Sequence, residues 1–500
     1  MAFSFYNTLG RSKQSFSPLQ EKKVGFYGCG PTVYNYAHIG NIRAYVHHDI
    51  LVRSLRRAGY DVNHVMNITD VGHLSDDSDA GEDKMVKTAE ERGKSVLEIA
   101  DYYTKAFFND TDKMNITRPT IVCKATDHIK EMISLIERIE KNGFTYLTGG
   151  NLYFDISKFP SYGDLALLKL EDLQKSEQTE FARIDQDENK RNAGDFVLWF
   201  TKSKFENQAL VWDSPWGKGY PGWHIECSAM SIKYLGEQFD IHCGGIDHIP
   251  IHHTNEIAQS EAATGITPWV KYWLHNEFLV LDKGKMSKSK GGFLTLQSLI
   301  DEGFDPLDYR YFLLSGHYRR QLQFSFESLQ GAKNSRKSLV EKVRGLLEKT
   351  SRGGAEAQRA QGEDKGEESG KELNISSYIE GFDKAIEDDL NTPRALAELW
   401  GLLKDVQGCN HSTTAKALEA IYDMDSVLGL GLKETVNNKN TGTEENEELK
   451  QEIEELIKKR IEAKKAKDFS AADNIRQNLK DRGIILEDGV NGTTWRFEQP

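Results

Sequence analysis

The order of apolar and polar positions near the N-terminus predicts a strand, a helix and a second strand in close succession. Residues 22–30, KKVGFYGCG, form a short apolar run that ends in glycine, which is typical of a buried strand. Apolar residues then recur at helical spacing from about His38 to Gly59, and residues 61–68, DVNHVMNI, form a second strand-like run. Together these elements predict a βαβ unit, whose helix begins at the sheet edge where α/β proteins bind ligands.

The pattern changes further along the chain. Residues 85–141 predict mostly helix, and residues 145–225 predict an insertion of strands and loops. Strand patterns return at residues 239–243 and 275–281. We therefore interpret residues 22–70 and 239–330 as two parts of one α/β domain that an insertion separates.

The C-terminal third predicts helices between polar segments. Residues 374–430 are helical in pattern, and the glutamate-rich segments 350–372 and 434–448 are interpreted as linkers. Residues 449–482 predict a charged helical pair broken near Asp468, and residues 483–497 predict a hairpin turning at Asn491-Gly492. The predicted domains are 1–120 and 226–330 for the two catalytic halves, 121–225 for the insertion, 331–433 for a helical bundle and 434–500 for a terminal module.

Composition narrows the class of protein. The 500 residues are 38% hydrophobic and 28% charged, which excludes a disordered or collagen-like chain. No apolar run approaches the ~18 residues of a membrane helix, and no secretory signal is visible. Five cysteines without CxxC spacing fit a reducing compartment, so we expect a cytoplasmic protein. We also expect a monomer, since no dimerisation element is apparent in the sequence. The net charge of −13 disfavours indiscriminate nucleic-acid binding but allows a local basic face.

Two short motifs have the residue types of a phosphate site. In residues 28–41, GCGPTVYNYAHIGN, glycines permit close approach of a ligand, and His38 at a helix start can donate to a phosphate. In residues 285–289, KMSKS, Lys285 and Lys288 can neutralise the charge that builds up during phosphoryl transfer. Taken alone, a capping histidine and a solvated basic loop explain these motifs equally simply.

Cysteine and histidine residues suggest a metal site. His252 and Glu256 are four residues apart, so a helix would place both on one face. With Cys29 and Cys227 they would supply two thiolates, one imidazole and one carboxylate to a tetrahedral zinc ion. Several nearby residues remain competing ligands, namely Cys243, His248 and His253. Separate buried cysteines and capping histidines are the alternative.

The pair HIGN and KMSKS resembles the two signatures of class I aminoacyl-tRNA synthetases. The segments MNITDVGH, WHIECSAM and HHTNE and the tail KDFSAADNIRQNLKDRGIILEDGVNGTTWR occur in the order seen in the cysteinyl-tRNA synthetase family, over almost the whole chain. The resemblance implies an α/β fold: a Rossmann-type class I catalytic domain with an inserted connective region, α-helical C-terminal domains and a small terminal hairpin module.

The resemblance also implies a reaction and its residues. Members of the family activate L-cysteine with ATP and Mg²⁺ and transfer it to the terminal ribose of tRNA. The implied zinc ligands are Cys29, Cys227, His252 and Glu256. The implied catalytic residues are His38, Asn41, Lys285 and Lys288, and the implied nucleotide-binding residues are Gly30, His38, Gly40 and Lys288. Thr69, Trp223 and Asp247 are implied to bind the amino acid. Asn41 replaces a histidine that many synthetases have, but its amide can still donate, and Cys243 adds a thiol that the family usually lacks.

A zinc ion would answer a problem of specificity. A hydrophobic pocket separates cysteine from serine by only ~1–3 kcal/mol, whereas accurate protein synthesis needs a ratio near ~10⁴. A metal-bound thiol ionises readily and a hydroxyl does not. The zinc would therefore select the substrate rather than catalyse the reaction.

The tRNA would be read by the C-terminal module. Residues 457–482 are rich in lysine and arginine, and the candidate tRNA contacts are Arg476, Trp495 and Arg496. A solvated helix face with a core tryptophan is the alternative.

Three rival functions remain: a ligase that passes cysteine to a small amine, a tRNA-binding protein without catalysis, and a synthetase for another amino acid. The C-terminal tail argues against the small-amine ligase. The intact His38, Lys285 and Lys288 argue against a protein without catalysis, and the four zinc-type ligands argue against another amino acid.

Overall fold

The structure, a computed structural model, describes most of the chain. The described residues are 2–71, 88, 94–168, 188–202, 210–281, 294–359, 372–437, 444–465, 468–481, 484–489 and 492–497. The chain divides into two compact units, Met1–Leu432 and Lys433–Pro500. Among the described residues we find no helix with the length and apolarity needed to cross a membrane.

The strands are numbered in chain order. They are β1 Ser4–Asn7, β2 Ser12–Ser15, β3 Lys23–Gly28, β4 Asp61–Ile68, β5 Ile121–Lys124, β6 Thr145–Thr148, β7 Asn151–Phe154, β8 Phe196–Phe200, β9 Tyr220–Pro221, β10 Phe239–Gly245, β11 Val270–Asn276, β12 Leu279–Leu281, β13 Leu322–Phe324, β14 Ile484–Gly489 and β15 Gly492–Phe497. 

The α-helices are numbered in the same way. They are α1 Ile39–Arg57, α2 Val96–Lys113, α3 Ile129–Lys141, α4 Trp223–Leu235, α5 His252–Thr264, α6 Leu296–Asp301, α7 Pro306–Leu314, α8 Phe326–Arg359, α9 Ile375–Glu387, α10 Thr392–Asp405, α11 His411–Leu428, α12 Leu432–Asn437, α13 Glu444–Lys465 and α14 Phe469–Asp481.

A parallel five-stranded sheet forms the centre of the first unit, in the order β11-β10-β3-β4-β5. The predicted βαβ unit is confirmed: β3 and β4 pair in parallel from Lys23 opposite Asp61 to Gly28 opposite Met66, and α1 connects them. Phe26 and Val65 are fully buried, as the apolar runs predicted. Because all five strands run the same way, their carboxyl ends meet at one edge of the sheet.

The insertion is a separate antiparallel sheet, in the order β6-β7-β8-β9. Phe154 and Phe196 stack across it with ring centroids 5.0 Å apart. The predicted start of the insertion at residue 121 differs from the structure, because β5 at Ile121–Lys124 pairs with β4 in the central sheet. This strand has only four residues and is partly exposed, so its pattern is too short to identify it.

The predicted linkers are partly wrong. Helix α8 continues to Arg359, so residues 350–359 are helical, and α12 and α13 cover 434–437 and 444–448. Helix α8 is already nucleated when it reaches residue 350, and a low apolar content alone does not prevent an existing helix from continuing. Residues 360–371 and 438–443, the remaining parts of these linkers, lie outside the described residues.

The second unit packs two helices against a hairpin. Helices α13 and α14 are separated near Asp468, as predicted, and β14 pairs antiparallel with β15 from Ile484 opposite Phe497 to Gly489 opposite Gly492. The apolar side chains of this unit form one core, which includes Ile453, Ile457, Leu479, Ile484 and Leu486.

Candidate active site and metal centre

A cavity of about 520 Å³ opens at the carboxyl ends of β3, β4 and β10. Its lining includes the turn after β3, the end of β4, the turn after β10 and the first turns of α1, α4 and α5. Backbone N–H groups at a helix N-terminus favour anions. The position and polarity of this cavity therefore suit a phosphate-bearing substrate.

The turn after β3 requires glycine at position 30. A Cβ atom on Gly30 would lie 1.7 Å from the carbonyl oxygen of Asn67, which no side chain can accommodate. The Gly30 backbone N–H also donates to Asn67 Oδ1 at 2.8 Å. This close approach fixes the turn that carries Cys29 into the cavity.

His38 and Asn41 form a reciprocal cap at the start of α1. The Asn41 backbone N–H donates to His38 Nδ1 at 3.1 Å, and the His38 backbone N–H donates to Asn41 Oδ1 at 3.1 Å. Burial lowers the pKa of His38, and Asp247 opposes this only in part. A neutral ring that accepts at Nδ1 carries its proton on Nε2, so His38 can donate from Nε2.

Four potential metal ligands come together beside this cavity. Cys29 follows β3, Cys227 lies on α4, and His252 and Glu256 lie one turn apart on α5. One ligand atom from each of the four lies within 4.8 Å of the others, and all four residues are buried. Two sulfurs, an imidazole nitrogen and a carboxylate oxygen at such spacing fit a tetrahedral Zn²⁺ ion.

The two oxygens of Glu256 have different surroundings. Oε2 lies 3.0 Å from His242 Nε2 and makes a hydrogen bond there. Oε1 lies 3.0 Å from His252 Nε2 but has no hydrogen-bond partner of acceptable geometry among the described residues. A buried carboxylate oxygen without a hydrogen bond, beside an imidazole and two thiols, is what a metal site supplies to its ion.

The competing ligands predicted from the sequence lie close by. Cys29 Sγ is 3.4 Å from His253 Nε2, and two further groups of potential ligands contain Cys29 with His253. Among the described residues, only the group with Cys227 contains two thiols. His253 Nδ1 is hydrogen-bonded to His275 Nε2 at 2.7 Å, and Cys243 contributes its backbone carbonyl to the N–H of Cys29.

The charges in this cluster are strongly coupled. Burial alone would raise the pKa of Glu256, but the facing His242 and His252 outweigh it and hold the pKa at about 2. Burial raises the pKa of the Cys29 thiol, whereas a hydrogen bond from Cys29 lowers that of Cys227. Burial acts to lower the pKa of His252, but the charge of Glu256 raises it overall. A divalent cation would displace these protons on binding.

The three predicted amino-acid contacts also line the cavity: Thr69, Trp223 and Asp247. Thr69 Oγ1 donates to Glu226 Oε2 at 3.1 Å and accepts from Asn67 Nδ2 at 3.1 Å. Trp223 is the first residue of α4, and its ring centroid lies 6.3 Å from that of His252. The cavity therefore places an aromatic ring, a hydroxyl and a carboxylate near the cysteine–histidine cluster.

Comparison with known proteins gives the family. Residues 15–334 match the family described as tRNA synthetases class I (C) catalytic domain, residues 381–433 match the DALR domain, and residues 446–496 match the cysteinyl-tRNA ligase anticodon binding domain. The chain is 59% identical to a cysteine–tRNA ligase of Treponema denticola, over 99% of this chain and all of the relative. The chain belongs to the cysteine–tRNA ligase family.

Other relatives agree with this assignment. The cysteine–tRNA ligase of Treponema pallidum is 46% identical over 99% of this chain and all of the relative. That of Borrelia hermsii is 43% identical over 99% of each chain. The fold is similar to that of Mycobacterium tuberculosis methionyl-tRNA synthetase in complex with methionyl-adenylate, with a TM-score of 0.56 and 16% identity over 82% of this chain and 90% of the other. The predicted class I fold is confirmed.

Not every predicted site residue of this family member is described. Lys285 and Lys288 lie outside the described residues. In the second unit, Arg476 is exposed on α14, and Arg496 lies on β15 opposite Ile485. Trp495 is partly buried and packs against the apolar core of that unit, so part of its surface has a structural role.

The structure brings further polar residues to the ligase site that the motifs did not single out. Asn67 holds both the Gly30 backbone and the Thr69 hydroxyl, and Glu226 accepts from Thr69. His224 Nδ1 lies 2.9 Å from His252 Nδ1. Asn67 could have been identified because it ends a buried strand at the carboxyl edge, and Glu226 because a carboxylate directly before Cys227 lies on a buried helix.

Proposed function

We propose that this protein activates L-cysteine with ATP and transfers it to the 3′-terminal ribose of tRNA(Cys), in the cytoplasm where translation takes place. The observation that carries the proposal is the convergence of Cys29, Cys227, His252 and Glu256 beside a cavity at the sheet edge. The full-length similarity to cysteine–tRNA ligases supports it.

The four clustered residues would hold one Zn²⁺ ion, with Glu256 using Oε1. When bound, the ion would accept a substrate thiol as a thiolate far more readily than it would accept the hydroxyl of serine. Burial of all four side chains keeps water away from the ligands and fixes their positions. The chain thus discriminates sulfur from oxygen by chemistry rather than by size.

The amino acid would be oriented by three side chains. Trp223 covers the small side chain, and the Asp247 carboxylate attracts the ammonium group. Thr69 Oγ1 donates its proton to Glu226 and accepts from Asn67 with one lone pair. Its other lone pair can therefore accept from the substrate ammonium. These contacts aim the substrate carboxylate toward the start of α1.

In the first step, a carboxylate oxygen of cysteine attacks the α-phosphorus of ATP. The bond to the bridging oxygen breaks, and pyrophosphate leaves with the electron pair. His38 donates from Nε2 to the phosphates, and Asn41 donates from its amide. Gly30 lets its turn pack against Asn67, and Gly40 leaves room for the His38 ring, so that both turns can present their backbone to the nucleotide. Lys285 and Lys288 neutralise the growing charge, and Mg²⁺ accompanies ATP as part of the substrate.

In the second step, a hydroxyl of the terminal ribose attacks the carbonyl carbon of the adenylate; the class I family favours the 2′-hydroxyl over the 3′-hydroxyl. The acyl–phosphate bond breaks, AMP leaves with the electron pair, and the hydroxyl proton passes to water. No enzyme nucleophile takes part, so positioning accounts for the rate. Arg476, Trp495 and Arg496 in the second unit are proposed to contact the anticodon, and the match of residues 446–496 supports this.

The proposal is tested by ATP–pyrophosphate exchange with each of the twenty amino acids, together with metal analysis of the same sample. We expect exchange with cysteine alone and one zinc per chain. Equal exchange with serine would contradict the zinc-based selection. Cysteine-dependent exchange without charging of tRNA would instead favour a ligase with a small-molecule acceptor.

A further inference from the structure

A second groove adjoins the active-site cavity. It has a volume of about 680 Å³, within the range of about 300–1,000 Å³ that small-molecule sites span, and it lies between α2 and α6. Tyr36 lines both the groove and the cavity, so the two adjoin at this residue. None of the proposed steps of amino-acid activation uses this groove.

Two tyrosines form an exposed aromatic pair at this junction. Tyr36 is 38% exposed and Tyr102 is 43% exposed, and their hydroxyl oxygens lie 2.6 Å apart. Tyr36 also packs edge-on against the buried ring of Tyr103, with centroids 5.1 Å apart. The pair is therefore held in place by contacts on one side, while much of its surface faces solvent.

The charges around the pair are mixed. Lys94 Nζ lies 5.5 Å from the ring centroid of Tyr102, and Lys105 and Lys113 line the groove. Two carboxylates, Asp110 and Asp301, line it as well. Lysines at the rim can contact phosphates, but a groove of mixed charge gives little general affinity for polyanions. Aromatic stacking is thus the larger contribution that this surface can offer.

We propose that this groove receives the unpaired 3′-terminal nucleotides of the tRNA, with a base stacked on Tyr102. The inference rests on the proposed function, which requires a single-stranded end to reach the adenylate in the adjoining cavity. Exposed aromatic rings flanked by lysines are the usual platform for unpaired bases, because every base has a face that can stack. Because the groove and the cavity share Tyr36 as a wall, a strand that lies in the groove has its end beside the cavity.

The test compares three variants on α2 in the full-length protein: Tyr102→Ala, Tyr102→Phe and Leu97→Ala. Leu97 is 51% exposed on the same helix and does not line the groove, so it is the matched control. We expect Tyr102→Ala to lower kcat/KM for tRNA by roughly 5- to 150-fold, the range for loss of one stacked base. The kcat/KM of Tyr102→Phe and of Leu97→Ala should stay within about threefold of that of the unchanged protein, because both variants still have an aromatic ring at position 102.

Two further measurements separate this inference from the proposed function and from misfolding. Cysteine-dependent pyrophosphate exchange should be unchanged in Tyr102→Ala, and so should inhibition by a tRNA that lacks its three 3′-terminal nucleotides. Normal charging by Tyr102→Ala, or an equal loss of exchange and charging, would overturn the inference. If Tyr102→Ala does not fold, Tyr102→Leu takes its place with the same expected results. Failure of the proposed function would appear separately, as absence of cysteine-dependent exchange in the unchanged protein.

Discussion

Replacing His38 separates the helix cap that the structure shows from the phosphate contact that we propose, because different atoms of one ring supply them. Nδ1 caps α1 by accepting from the Asn41 N–H, and the proton on Nε2 is proposed to reach a phosphate of ATP. Asparagine is among the best N-cap residues, so His38→Asn should keep the cap but lose the donor at the Nε2 position. His38→Ala should lose both.

The expected magnitudes differ between the two variants. A hydrogen bond to a charged group contributes about 1.5–3 kcal/mol, which is roughly a 10- to 150-fold change in rate. Loss of an N-cap costs about 1 kcal/mol of stability. We therefore expect both variants to lose exchange activity by that factor, and only His38→Ala to lose about 1 kcal/mol of unfolding free energy.

The assay is pyrophosphate exchange at saturating cysteine and ATP, with urea unfolding of the same preparations. A His38→Asn variant that retains nearly full activity would refute the phosphate contact. Equal destabilisation of both variants would refute the capping argument.

The pH dependence gives an independent check on His38. Because burial lowers its pKa below the usual value of about 6.5, His38 is neutral at pH 7, and the neutral ring already has the donor. Activity should therefore not fall because of His38 as pH rises from 6.5 to 8. A decline across that range that His38→Asn abolishes would show that the cation is the active form.

Three more predictions follow from buried residues and from the division of the chain. Cys227→Ser should lose bound zinc while Cys243→Ser keeps it, as measured by metal analysis; equal zinc in both would contradict the ligand set. Asp49→Asn should destabilise the protein by about 3–5 kcal/mol in urea unfolding at pH 7, because it leaves the fully buried Arg310 without its carboxylate partner. Burial would raise the pKa of Asp49, but the facing Arg310 outweighs burial, and the folded pKa is lowered. The stability that Asp49 contributes is therefore fully present above its unfolded pKa of about 3.9, and it is lost as the pH falls through the lower folded pKa. A loss below about 1 kcal/mol at pH 7 would contradict this. Removal of residues 438–500 should leave cysteine-dependent exchange intact and reduce tRNA charging by at least about 30-fold, the lower limit for two lost nucleic-acid contacts of ~1–3 kcal/mol each. Equal charging would refute the proposed role of the second unit.

The core strands could be predicted from sequence because burial on both faces leaves an apolar run. Val24 and Phe26 in β3 and Val62 and Val65 in β4 are all buried. β5 could not be identified in this way, because it is a four-residue edge strand with an exposed Val122. At residues 350–359 the low apolar content indicated a linker, but helix α8 continues through them from Phe326.

The ligand set could be narrowed but not fixed from sequence. Helical spacing places both His252 and His253 within reach of Glu256, because residues three and four apart share a face. Only the packing of α4 against α5 brings Cys227 into the group that contains His252. The role of Asn67 also depends on packing, since its amide joins two segments that the sequence does not show to be in contact.

The surroundings of Glu256 explain why so many histidines gather at one carboxylate. His242 engages Oε2, and His224 contacts the His252 ring on the nitrogen opposite to the one that faces Glu256. Each contact occupies one atom of a proposed ligand. Only Oε1 of Glu256 and only Nε2 of His252 are then left to bind a metal ion. Orientation by such neighbours is what sets affinity and selectivity at a metal site. Discrimination between a thiol and a hydroxyl is only as good as the fixed positions of the ligands, because a site that could rearrange would accommodate either atom. His242 and His224 would thus contribute to the proposed selection of cysteine, although neither is proposed to be a ligand itself.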